Sequence, residues 1–87
     1  MQLEQYYFIS FDNTSHALQA ERFLKDNKCD ITVMPTPTDI THSCGLSIKF
    51  NLSSLSEIEK TIERGGLKIA GIYRLQRDKG VRKVEKV

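Results

Sequence analysis

The 87 residues carry 13 Lys/Arg and 11 Asp/Glu, a net charge of +2, with 39% hydrophobic residues, two cysteines and no tryptophan. A chain of this size folds as one domain with one core and has no room for a deep interdomain cleft. No stretch approaches the roughly 18 apolar residues of a membrane span, and residues 1–5 (MQLEQ) lack the basic start and apolar run of a secretory leader. The expected location is therefore the cytoplasm, where two cysteines stay reduced and build no disulfide framework.

The elements read in chain order as follows. Residues 6–11 (YYFISF) are a dense aromatic and β-branched run, which suits a central strand. Residues 12–15 (DNTS) offer N-caps, after which Ala17, Leu18, Ala20, Phe23 and Leu24 recur at helical spacing as far as Asn27. Residues 30–34 form a short second strand stopped by Pro35. In the third strand, 45–50, Leu46, Ile48 and Phe50 point inward while Ser47 and Lys49 point outward. Residues 54–57 (SLSE) have capping-box spacing, and Leu55, Ile58 and Ile62 form an apolar stripe that ends at Gly65 and Gly66. Residues 67–75 supply a fourth strand, whose facing Gly71 leaves ambiguous.

The order β-α-β-β-α-β, with right-handed crossovers, predicts an α+β ferredoxin-like sandwich: a four-stranded antiparallel sheet with two helices on one face and strand order 4-1-3-2. The domain is expected to span 1–75. Residues 76–87 hold five Lys/Arg against two Asp/Glu, a balance of +3, whereas residues 1–75 balance at −1. This basic tail reads as a loosely ordered terminus or, alternatively, as a hairpin turning at 78–80 and extending the sheet edge.

Long loops that persist in small domains are often functional, and the connection between the second and third strands, about ten residues ending at Cys44, is long. The expected topology puts Cys44 beside the exit of the first strand and the N-terminus of the first helix. Unpaired N–H groups and the helix dipole there favour an anion, which suits thiolate character. Thr14, Ser15 and His16 border the same end as hydrogen-bond donors to sulfur or to an anionic substrate. His42, two residues from Cys44, is placed for thiolate stabilisation or proton transfer. Ser43 is a further donor, and Gly45 either lets a partner approach closely or simply makes the turn. The simpler readings are that Thr14 and Ser15 cap the helix and His42 is a solvated loop residue.

Residues 14–17 (TSHA), 35–37 (PTP), Ile40, 43–46 (SCGL) and 71–74 (GIYR) together resemble a small bacterial family described as selenium/sulfur carrier protein-like. The resemblance covers residues 6–75 and implies a carrier role for Cys44, which would hold sulfur or selenium as a persulfide or selenosulfide. It also implies donor and acceptor proteins as partners and no cofactor. Two positions depart from the family pattern: Thr38 stands where a basic residue is usual, and His42 where a small residue is.

Cys29 is expected at the opposite end of the sheet in a structural role. Cys29, His42 and Cys44 lack the paired spacings of a zinc site. Asp39 and His42 lie too close in one loop to act as base and orienting acid to a cysteine nucleophile, so a carrier or binding protein is favoured over a stand-alone enzyme. The alternatives are a small-molecule regulatory module or a protein-interaction module, either one able to form a homodimer through an edge strand. A membrane partner is not expected. Nucleic acid is disfavoured because the third strand lacks the exposed aromatics of RNA-recognition domains and charge outside the tail is near neutral.

Overall fold

The computed structural model describes residues 3–40 and 43–87. Five strands and two helices follow the order β1 (Leu3–Ser10), α1 (Thr14–Asp26), β2 (Ile31–Pro35), β3 (Leu46–Phe50), a 3-10 turn (Leu52–Ser54), α2 (Leu55–Gly65), β4 (Gly71–Asp78) and β5 (Val81–Lys86). They form one antiparallel sheet in the order β2-β3-β1-β4-β5. The expected four-stranded ferredoxin-like sandwich is thus corrected to an α+β fold with two helices and an open five-stranded sheet.

The additional strand comes from the basic segment. β4 begins at Gly71 rather than at residue 67 and runs on to Asp78, and the chain then reverses through Lys79 (φ 53°) and Gly80 (φ 81°). Two consecutive positive φ values give a turn whose twist matches that of paired strands. β5 pairs with β4 along its whole length, with Arg74 opposite Glu85 and Leu75 opposite Val84. Arg74 donates to Glu85 at 2.8 Å across this ladder.

Period-two alternation divides the sheet residues between two faces. Tyr7 and Ile9 of β1, Ile31 and Val33 of β2, Leu46, Ile48 and Phe50 of β3 and Ile72 of β4 join Phe11, Ala17, Ala20, Leu24, Ile58 and Ile62 in one core under the helices. Asn13 caps α1, its side chain accepting from His16 N–H at 2.9 Å. Both helices end through a left-handed residue, Lys28 (φ 62°) and Gly66 (φ 60°), with the next amide bonding back to Leu24 and Ile62. The expected capping box at the start of α2 is absent: Ser54 precedes the helix but makes no side-chain cap bond, because the 3-10 turn supplies the entering geometry.

The helix-free face is not simply solvated. Phe8, Ser10, Ser47 and Leu75 point away from the helices, yet Phe8 and Ser47 have no exposure and Ser10 and Leu75 only 1%. Part of the cover on this face comes from the described residues of the β2–β3 connection, which reach over the sheet as a strap. Thr36 Oγ1 lies 2.7 Å from Ser47 Oγ, while Asp39 reaches Arg82 at 2.7 Å. β5 lies three strands from β3, so the strap spans about 14 Å sideways at the usual strand spacing. Ser47 was expected to be exposed, and the strap is the reason it is buried. Lys49, also expected outward, stays half-buried with Nζ 4.7 Å from the Tyr6 ring centroid.

Candidate functional site

Cys44 stands at the foot of the strap, where the chain turns into β3. Its amide donates to Phe11 O at 2.8 Å, immediately before the Asn13 cap of α1. This bond follows from β1 and β3 being antiparallel neighbours: the chain just ahead of β3 must pass the chain just beyond β1. The side chain is half-buried against the edge of the helix-side core. Its thiol donates to Leu46 O at 3.3 Å. This rotamer belongs to the protonated thiol. A thiolate has no proton to give and could not make this bond to the Leu46 carbonyl.

The carbonyl of Cys44 is held more firmly than its sulfur. It accepts from Thr36 Oγ1 and from Ser43 Oγ, each at 3.0 Å. Thr36 N–H donates to Gly45 O at 3.0 Å, and Thr36 Oγ1 also meets Ser47 Oγ. Thr36 therefore joins the outgoing and returning limbs of the strap and fixes the backbone on both sides of Cys44. No spacing rule marks it, since a threonine between two prolines reads as ordinary loop, and its role depends on a partner eight residues away. Asp39 and Arg82, separated by 43 positions, are invisible in sequence for the same reason.

The other expected site residues are placed as follows. Ser43 turns its hydroxyl to a carbonyl rather than to the sulfur. Thr14 and Ser15 are exposed in the first turn of α1, and Asn13, not either of them, is the N-cap. His16 is half-buried and contributes its amide to that cap. Gly45 is exposed and does not adopt a left-handed conformation, and a Cβ built there would meet nothing within 4 Å, so no local constraint requires glycine. His42 lies outside the described residues. Cys29 is buried, donates to Thr61 Oγ1 at 3.9 Å and sits at the opposite end of β2 from the strap.

Among the described residues no three His, Cys, Asp or Glu side chains gather in a way that would hold a metal ion. No helix among them is long and apolar enough to cross a membrane. On the helix-free face, burial and the nearby Glu4 carboxylate push the Tyr6 phenol above its ordinary value. On the opposite face, the Arg74 guanidinium, with help from Lys83, holds the Glu85 carboxyl below its ordinary value.

A half-buried thiol at the root of a polar strap, on a small α+β domain, defines a class: a compact domain presenting one accessible sulfur beside a strand exit and a helix cap. Comparison with known proteins narrows the class. The chain belongs to the family described as "Putative Se/S carrier protein-like", which matches residues 6–74. A protein of the archaeon Methanocaldococcus jannaschii, named only as uncharacterised, is 36% identical over 66 residues, 76% of this chain and 33% of that protein. The chain thus spans about a third of the length of that relative. No solved structure matches the chain.

Proposed function

We propose that Cys44 is the carrier atom of a sulfur- or selenium-transfer protein, with the domain acting between a donor and an acceptor rather than as a stand-alone enzyme. The observation that carries this reading is the placement of Cys44: the only partly accessible thiol of two, at the root of the strap, in a chain of this family. In the loading step the Cys44 thiolate attacks the outer sulfur of a donor persulfide. The donor S–S bond breaks, a Cys44 persulfide forms, and the electron pair of the broken bond leaves on the donor thiolate. Loading needs no external oxidant, because the transferred sulfur arrives already in the sulfane state. An acceptor nucleophile then attacks the terminal sulfur and Cys44 returns as thiolate. A selenosulfide forms and discharges by the same balance when the donor carries selenium.

Thr36 and Ser43 fix the Cys44 carbonyl, so the reacting sulfur moves by side-chain rotation on a held backbone. Thr14, Ser15 and His16 supply polar groups at the neighbouring helix start, and the exposed Gly45 leaves room for a partner's sulfur. The test is incubation with a cysteine desulfurase and its substrate, followed by intact mass and peptide mapping. The expected result is one reductant-labile sulfur on the peptide containing Cys44, lost in Cys44→Ser with the circular dichroism spectrum unchanged. Loading that persists in Cys44→Ser, or no loading of the parent protein, overturns the reading.

A further inference from the structure

We propose that the helix-free face of the sheet binds a single-stranded polynucleotide, in competition with the strap. The inference is independent of Cys44 and rests on what the topology assembles on that face. Cross-strand pairing puts Tyr6 and Phe8 of β1, Lys49 of β3, Tyr73 and Arg77 of β4 and Arg82 and Lys86 of β5 on one side of the sheet. Phe8 and Tyr73 stack with ring centroids 5.4 Å apart. Lys49 lies over the Tyr6 ring, and the Lys86 and Tyr73 side chains both lie over Gly71. On this face Glu4 pairs with Arg77 at 3.4 Å and Asp39 of the strap pairs with Arg82. Lys49 and Lys86 take part in no ion pair among the described residues.

Four cations around a ladder of flat rings is the composition that single strands require, with phosphates on the cations and bases on the aromatic faces. An acidic polypeptide would use the cations but has no group that stacks on Tyr6 and Tyr73. The aromatics stand on β1 and β4 instead of β3, and the basic segment excluded as a tail is part of the sheet. The strap reaches across this face from Ser47 on β3 to Arg82 on β5. Its Asp39 carboxylate occupies the place on Arg82 that a phosphate would take, so strap and polynucleotide exclude one another.

The test is fluorescence anisotropy of a labelled oligouridylate with the full chain. Four phosphate contacts weaken binding about fifty-fold between roughly 50 and 200 mM salt. Tyr6→Leu and Tyr73→Leu each weaken it by about five-fold or more, and Asp39→Asn tightens it by freeing Arg82. Lys86→Gln, at an exposed position where folding is not at risk, lowers the salt slope by about 0.7. The proposal is overturned if the oligonucleotide does not bind at low salt or if an oligoglutamate of equal charge binds as tightly. Tyrosine variants that fold and bind like the parent overturn it too, as does an unchanged affinity in Asp39→Asn.

Discussion

Replacing Thr36 by valine keeps the shape and the β-branch and removes only the hydroxyl that joins the two limbs of the strap. Two consequences add. Ser47 Oγ, fully buried, loses its 2.7 Å partner, and a buried hydroxyl left unsatisfied costs about 1–3 kcal/mol. The Cys44 carbonyl loses one of two bonds. Because Ser43 still donates to it, that loss is at the low end for a hydrogen bond, about 0.5 kcal/mol. The sum is about 1.5–3.5 kcal/mol, which in a domain of this size lowers Tm by about 6–28 °C. Thermal unfolding by circular dichroism measures it. Thr36→Ser, which keeps the hydroxyl, should recover most of the loss. Combined with Ser47→Ala, Thr36→Val should cost clearly less than the two single changes added, because the buried orphan has gone with its partner. Cys44 alkylation should accelerate in Thr36→Val, since the backbone beside the thiol loses one of its ties. A stability loss below about 0.5 kcal/mol, or strictly additive single changes, would refute this account of the strap.

Two further outcomes follow from particular contacts. A Cβ at Gly65 would stand 2.5 Å from the half-buried Phe23 ring, so Gly65→Ala should cost about 1–3 kcal/mol in chemical denaturation despite alanine's better helix propensity, with Phe23→Leu relieving part of it. Glu85 titrates below its ordinary value in the folded chain, so the stability it gives is present above the unfolded carboxyl value and disappears as pH falls through the lower folded one. Acid titration should therefore weaken the β4–β5 ladder. Protection of the β5 amides relative to their intrinsic exchange rate should fall as the pH falls through that window, and Glu85→Gln should remove the part of the pH dependence that Glu85 contributes.

Local pattern was enough for the two helices, the first three strands to within a few residues, and the position of Cys44 next to the exit of β1. Each rests on local periodicity: apolar residues at helical spacing through Ala17, Ala20 and Leu24, alternation at Leu46, Ile48 and Phe50, and breakers at Pro35 and Gly66. The Phe11–Cys44 bond is a consequence of the strand order those elements imply. Residues 76–87 could not be settled locally, because a polar segment with weak alternation becomes a strand only when an edge is available to pair with, and β4 supplies that edge. The strap could not be read either. Its fixing groups, Thr36 with Ser47 and Asp39 with Arg82, lie 11 and 43 positions apart, and nothing in a polar loop announces which face of a sheet it will cover. For the same reason Ser47 and Phe8 carry an outward pattern and are nonetheless buried: alternation fixes the face a side chain occupies, and only the tertiary fold decides whether that face meets water.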